Sequence, residues 1–511
     1  MTKVRALLLC TLAAVTCATA TAGAARATLD VGITEDVGKS DGGANFFATL
    51  DDLGAKENRV SIIWNPSSSS AIGGQNEIDG WMPQAQATGR RIVFSIAPQG
   101  GGDLYTAAAK AQFVAFVQQV ARTFPNVKDF VIGNEPNVNA FWRPQFNGKK
   151  QAIAAASYMQ VLAGCYDALK AVNPTINVIG VGLSPRGNDQ PGAKSNPSRS
   201  PVRFLHDLGV AYRASKRKKP LMDELAFHPY PATNTDSPKV GYKWPNAGLP
   251  NLGRIKQAFW DAFHGTAQPT FAETGVKTFG TPVKFVLDEV GWQVAPLPSL
   301  ASFYFGKETE TGRLVSEATQ AQYYSQSIVL AECDPSVRLL SFFLLTDEPN
   351  LHGWQSGLVR PDGSRRPAYA GVKNTIATTR GNCTGRRVKW KHTNVVVSPA
   401  AAFGNLKKAQ PVKRARWNIR AGAGEVATFR AGIFKAGSTK AALKKRLAKV
   451  RPRALLNASG TVKVAGTFVN FPRRRLKPGR YIYGIRMSAT MNPKRVSVLF
   501  SRVFRVGRAR R

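Results

Sequence analysis

The chain has 511 residues, 43% of them hydrophobic, and a formal net charge of +40. That length allows two or three domains, and the hydrophobic content excludes a wholly disordered chain. Past the N-terminus no apolar run reaches the roughly 18–20 residues a helical membrane span needs, so an integral helical membrane protein is excluded as well.

The N-terminus reads as an export signal. Lys3 and Arg5 precede the apolar stretch Ala6–Ala20, and the small residues of ATATAGAA follow. Residues 1–24 are therefore expected to be a cleaved signal peptide and the mature protein to be secreted. Cys17 raises lipid attachment as an alternative, but Thr16 before it fits that signal poorly. Cys165, Cys333 and Cys383 remain after cleavage. Cys165 lies in the apolar helical pattern YMQVLAGCYDAL and is expected in the core. Cys333 and Cys383 flank the last strand and helix of the pattern described next, and are expected to pair in an oxidising compartment.

Between about residues 28 and 383, short apolar runs alternate with amphipathic stretches. The runs are TLDVGI (28–33), RVSIIW (59–64), RIVFSIA (91–97), DFVIGN (129–134), NVIGVGL (177–183), ELAFHPY (224–230), KFVLDEV (284–290) and RLLSFFLLT (338–346). They are too short for stable helices and too uniformly apolar for one-sided strands, so they read as buried parallel strands. The stretches 107–124 and 151–172 carry apolar residues at three- and four-residue spacing and predict helices. Eight such units predict a (β/α)8 TIM barrel over 28–383. An open doubly wound sheet is the rival, disfavoured because no glycine-rich phosphate loop follows the first run.

After residue 383 the pattern becomes alternating apolar and polar or basic residues with turn signals such as KPG and MNP. This predicts a C-terminal all-β domain, an Ig-like sandwich over about 395–511, interrupted by one helix at 439–450. Residues 384–511 hold 33 Lys and Arg against a single acid, Glu425. Such asymmetry suits either a solvated basic surface or retention on an anionic cell-surface polymer. The tail's aromatics are few and form no RNA-binding pattern, so nucleic acid ranks last as a partner.

In a TIM barrel the chemistry sits at the C-terminal ends of the strands. The fourth run ends in Asn134-Glu135-Pro136, the sixth in His228 and Tyr230, and the seventh in Asp288-Glu289; the second opens with Arg59 and closes with Trp64, and Trp354 follows the eighth. Two glutamates on opposite sides of one barrel mouth are what retaining glycoside cleavage requires: one carboxylic acid to protonate the leaving oxygen and one carboxylate to attack the sugar, about 5–5.5 Å apart. Asp347-Glu348 is a further acidic strand end, on a strand that does not suit that pair. The five histidines show no HExxH spacing, the cysteines no CxxC, and no GxSxG or phosphate-binding loop appears; neither a metal nor a cofactor is expected.

With NEP, HPY and EVGW in this order and spacing, region 28–380 resembles the clan A glycoside hydrolases, the superfamily that includes the cellulase-like family five enzymes and the family thirty-nine xylosidases. The resemblance implies Glu135, within VIGNEPN, as acid/base and Glu289, within VLDEVGW, as nucleophile. It implies His228 and Tyr230 as the strand-six pair, both in contact with substrate, Trp354 within WQSGLVRPDGSRRPAY as a sugar platform, and Arg59 as a substrate-site neighbour of the nucleophile. Asn134 is expected to bind the 2-hydroxyl of the sugar, and Trp354 to stack on its C–H face. Trp64 is expected to line a further sugar position, and Trp142 and Trp292 are weighed for the same role. One departure stands out: Asp288 occupies the position before the nucleophile, where the clan has a small or hydroxyl residue. The expected substrate is a β-linked oligo- or polysaccharide. A non-catalytic carbohydrate-binding or cell-wall-associated protein on the same barrel is the alternative.

Overall fold

The structure, a computed structural model, describes residues 28–507 except 69, 279, 309–312, 393–395, 400–413, 421–426, 450–453, 463–467, 471–475 and 490–495. The signal expected over 1–24 lies outside the described residues.

Eight parallel strands close into a barrel: β1 (Asp30–Thr34), β2 (Glu57–Trp64), β3 (Arg91–Pro98), β4 (Asp129–Ile132), β5 (Asn177–Leu183), β6 (Glu224–Phe227), β7 (Phe285–Val290) and β8 (Val337–Phe343). β1 pairs with both β2 and β8, which removes every open edge. Eight helices alternate with the strands, namely α1 (Ala44–Leu53), α2 (Gln75–Ala87), α3 (Ala107–Thr123), α4 (Ala154–Val172), α5 (Pro201–Ala214), α6 (Leu252–Phe263), α7 (Glu317–Glu332) and α8 (Pro367–Thr379). Local chemistry sets their starts. The Thr106 and Ser316 hydroxyls accept from the Ala109 and Thr319 N–H groups at the heads of α3 and α7, and proline leads α5 and α8, where its missing N–H costs nothing. The fold is thus the TIM barrel the alternating runs predict.

Three strands are shorter than the apolar runs suggest. β4 stops at Ile132, β6 at Phe227 and β8 at Phe343. Asn134, Glu135, His228 and Tyr230 therefore stand just beyond the ladder, where their backbones bond elsewhere: Glu135 N–H to Gly182 O and His228 N–H to Leu183 O, both at 2.9 Å.

The barrel interior is layered. At its N-terminal end, Arg338 reaches Glu224 at 2.8 Å and Glu57 at 2.5 Å, with Asp129 at 3.8 Å. Arg91 pairs with Asp129 at 2.5 Å, and Asn177 Nδ2 donates to both Asp129 and Glu224. Above this lies a dry layer of Val93, Val131, Ile179, Ala226, Val286 and Leu339, all fully buried. The lumen is tight: a Cβ added at Gly32 would stand 2.5 Å from Ser341 Oγ. Cys333 and Cys383 form a disulfide joining the turn before β8 to the segment after α8, and Cys165 is a buried free thiol.

The tail is antiparallel. One sheet orders β13 (Phe468–Asn470), β10 (Arg414–Arg420) and β9 (Val396–Pro399). The other orders β12 (Leu456–Val462), β11 (Ala427–Lys435), β14 (Gly479–Ala489) and β15 (Val496–Phe500), with β16 (Phe504–Val506) also beside β14. Alternate residues of β11 and β14, including Phe429, Ile433, Tyr483 and Ile485, are buried, as a one-sided sheet requires. The expected helix is α9 (Lys440–Leu447), and it buries Leu443 and Leu447 against Phe434.

Arg338 is the cation that three buried carboxyl groups share. Burial pushes Glu57 up to about 7, against the opposing pull of Arg338. Arg338→Met is expected to destabilise the barrel by roughly 3–5 kcal/mol at neutral pH, read from urea unfolding. A midpoint unchanged from wild type would show that this cluster contributes nothing.

Candidate active site at the C-terminal mouth of the barrel

Backbone irregularities aim the key side chains. After β4, Gly133 takes φ +81° and Glu135 φ +38°, a left-handed conformation a non-glycine residue adopts only under constraint. The Glu135 N–H is held by Gly182 O, which is exposed because the β5–β6 register shifts between Val181 and Leu183. In β7 the register against β8 shifts between Leu287 and Val290. Asp288 and Glu289 sit inside that irregularity, and both carboxyl groups reach the same guanidinium, although adjacent residues of a regular strand would face opposite sides.

That guanidinium belongs to Arg59, which is 3% exposed. Its Nη1 lies 3.0 Å from Glu289 Oε1 and its Nε 3.1 Å from Asp288 Oδ2. Its Nη2 donates to Ser95 Oγ at 2.9 Å and Asn134 Oδ1 at 3.3 Å. The planar fork thus fixes β3, β7 and the segment after β4 at once. Tyr230 donates its hydroxyl to Glu289 Oε2 at 3.1 Å. His228, fully buried, puts Nδ1 3.1 Å from Glu135 Oε1 and 3.6 Å from Glu289 Oε2, while its Nε2 is 3.4 Å from Asp288 Oδ1.

Two contacts to a single nitrogen, at 3.1 and 3.6 Å, cap the separation of those two glutamate oxygens at roughly 7 Å, a range that contains the ~5–5.5 Å of a double-displacement pair. Burial raises the Glu289 carboxyl above its ordinary value, opposed by His228 and Arg59 and assisted by Asp288 and Glu135. For Asp288, burial is outweighed by His228 and Arg59, which hold it below the usual range. Burial and the nearby carboxylates keep the Tyr230 phenol protonated, so it remains a donor.

Glu135, Glu289, Arg59, Asn134, Tyr230 and Trp354 line one cavity of about 570 Å³. Trp354 packs beside Tyr230, with ring centroids 4.9 Å apart, and its backbone N–H donates to Glu348 Oε2 at 2.6 Å. His228 is not a wall of the cavity; it lies beneath the two glutamates and touches them instead, so its expected contact with substrate is replaced by contact with the carboxyl groups. Trp64 corrects the expectation more sharply. It is fully buried, edge to face with Phe113 of α3, and belongs to the core rather than to a sugar position. Trp142 and Trp292 are likewise buried, against Tyr158 and against Tyr323 and Tyr324. Asp347 is gripped by Arg366 at 2.6 and 2.9 Å and is 2% exposed, so this acidic strand end is structural.

The cavity also takes walls the sequence did not single out: Phe141, Tyr242, Arg186 and Arg313. They come from loops without periodicity, where only a neighbouring motif could have flagged them. Among the described residues no group of three or more His, Cys, Asp or Glu is arranged to hold a metal ion, and no helix is long and apolar enough to cross a membrane.

Neither a family model nor a curated protein matches the sequence. Solved structures do resemble the chain. A family 39 glycoside hydrolase from the gut symbiont Bacteroides cellulosilyticus WH2 is 13% identical, with 88% of this chain and 81% of that one covered and a TM-score of 0.48. A monomeric beta-xylosidase from Caulobacter crescentus CB15 is 16% identical, with coverage of 88% and 94% and a TM-score of 0.43. The endo-1,4-beta-mannanase from Rhizomucor miehei is 13% identical, with coverage of 69% and 94% and a TM-score of 0.42. Likenesses this distant carry no residue role across to this chain.

The two tryptophan environments separate experimentally. Trp64→Ala is expected to cost about 3–5 kcal/mol of stability, as for a large buried aromatic, whereas Trp354→Ala, at the cavity wall, is expected to cost much less. Thermal unfolding of the two variants checks this, and equal losses would contradict the placement.

Proposed function

We propose that this chain is a retaining glycoside hydrolase acting on a β-linked glycan. The observation that carries this reading is that Glu135 and Glu289, 154 positions apart in sequence, meet in one cavity within reach of a single imidazole nitrogen. Glu135 is the acid/base. Glu289, clamped by Arg59 and Tyr230 with its oxygens oriented, is the nucleophile.

Each step of the double displacement has a residue assigned to it on this reading. In the first displacement Glu289 attacks the anomeric carbon while Glu135 gives its proton to the departing oxygen. In the second, Glu135 takes a proton from water, which attacks the same carbon and releases Glu289. Asn134, oriented by Arg59, faces the cavity with an amide suited to a sugar hydroxyl. Trp354 offers a flat apolar wall for the C–H face of a pyranose.

Export and wall association belong to the same proposal. The leader-like N-terminus supports secretion, and the Cys333–Cys383 disulfide suits an oxidising compartment. The excess of 33 basic residues over one acid in 384–511 supports retention on an anionic cell-surface polymer.

The test is hydrolysis of a panel of β-glucans, xylans, mannans and galactans, with the anomeric configuration of the first product followed by NMR. Net retention is expected; net inversion would overturn the double displacement. Glu289→Ala is expected to abolish turnover, and Glu135→Ala to lower it by roughly 10²–10⁴-fold on substrates with poor leaving groups. Full activity in either variant rejects its assignment.

The pH profile has a defined acid limb. Because the Glu289 carboxyl sits above its ordinary 4.5, it is protonated and unable to attack at pH values where a free glutamate would already be ionised. Activity is therefore expected to fall, as pH is lowered, at a midpoint above 4.5, as kcat/KM against pH will show.

A further inference from the structure

Asp288 is a third carboxyl group in a site whose reaction needs two. It is fully buried, and its oxygens face the Arg59 Nε at 3.1 Å and the His228 Nε2 at 3.4 Å. Those two side chains present their other nitrogens to the glutamates: Arg59 Nη1 to Glu289 Oε1 at 3.0 Å, and His228 Nδ1 to Glu135 Oε1 at 3.1 Å. Asp288 thus stands behind both groups that hold the pair in place.

Counting charge favours a protonated His228. With a neutral His228, the buried Asp288 and the part-buried Glu135 and Glu289 would face one cation, Arg59, and an uncompensated charge at that depth is costly. With His228 as an imidazolium, a second cation stands among these carboxyl groups. Arg59 contacts Asp288 and Glu289, and among the described ion pairs none joins it to Glu135.

We propose, on the glycosidase reading, that Asp288 is a positioning residue for the general acid. It holds His228 as an imidazolium whose Nδ1–H is aimed at Glu135, so that a cation already stands beside Glu135 when its proton leaves. In the first displacement the proton passes from Glu135 to the glycosidic oxygen as the C–O bond breaks and Glu289 bonds to the anomeric carbon. Glu135 becomes a carboxylate against the imidazolium. His228 keeps both its protons throughout, and Glu135 regains its own from the attacking water.

The groups facing His228 agree with this. Glu135 comes from beyond β4 and Asp288 and Glu289 from β7, with Arg59 of β2 across Asp288 and Tyr230 further along its own segment; β5 offers only the backbone at Gly182 and Leu183. Burial alone would lower the imidazole, but Glu289 and Asp288 outweigh it and raise His228 to about 10.

Nitrogen-15 NMR of the five histidines tests the charge state without reference to activity. In the wild type, His228 is expected to keep both ring nitrogens protonated above about pH 8, well past the ~6.5 of an ordinary histidine. In Asp288→Asn it is expected to be neutral there. A neutral wild-type His228 at neutral pH overturns the proposal whether or not the protein cleaves glycosides. The kinetic arm compares leaving groups. Asp288→Asn is expected to lose at least about tenfold in kcat/KM on alkyl or sugar leaving groups, which need the proton, and less than about threefold on dinitrophenyl glycosides, which do not. His228→Gln is expected to show the same split. Equal losses on both substrate types, in variants whose thermal unfolding shows them folded, would mean that Asp288 is merely structural.

Discussion

The guanidinium of Arg59 is the constraint on which this site depends. One planar group, almost wholly buried, touches Asp288, Glu289, Ser95 and Asn134, and so ties β2, β3, β7 and the segment after β4 into one geometry. Its partners are acidic enough to outweigh the cost of its burial and raise its pKa, so it stays charged. A lysine could not do this, because its point charge cannot address several acceptors in fixed directions. The orientation of Glu289 toward the cavity follows from the clamp, and the position of Asn134 follows from the same nitrogen that binds Ser95.

The barrel was legible because its signal is periodic and repeated. Eight apolar runs with helices between them admit few closed arrangements, and the observed strands fall within a few residues of those runs. The strand-end polar residues were legible because a barrel leaves only one end for chemistry. Trp64 shows where that reasoning fails. It ends β2 as the pattern suggests, yet its side chain points outward under α3 rather than into the mouth. Position at a strand end says which end of the barrel a residue occupies; the parity of the strand says whether it faces lumen or helix. Glu289 defeats simple parity in the other direction, since the β7 irregularity brings two consecutive acids to one cation.

The role of His228 could not be read from sequence either. A histidine two residues before a tyrosine suggests a substrate contact, and the Tyr230 part of the motif does line the cavity. His228 instead lies a layer deeper, because its Nε2 is drawn to Asp288, a partner 60 residues away on another strand. The walls formed by Phe141, Tyr242, Arg186 and Arg313 were hidden for a different reason: they sit in loops, whose conformations are set by tertiary contacts and not by local pattern.

The same strands that carry the site at one end of the barrel carry the Arg338 cluster at the other. Glu224 and Ala226 of β6 and His228 just beyond it follow at two-residue intervals, and on β2 Glu57 is followed by Arg59. Between the two ionic levels lies the band of Val93, Val131, Ile179, Ala226, Val286 and Leu339, closed to water. That waist works as an insulator. Each polar end must reach its own neutrality, since neither can borrow a counter-ion through six packed hydrocarbon side chains. The lower end can therefore be rebuilt for durability without retuning the titration of the upper one, and the mouth can acquire an extra acid such as Asp288 provided a cation of its own arrives with it.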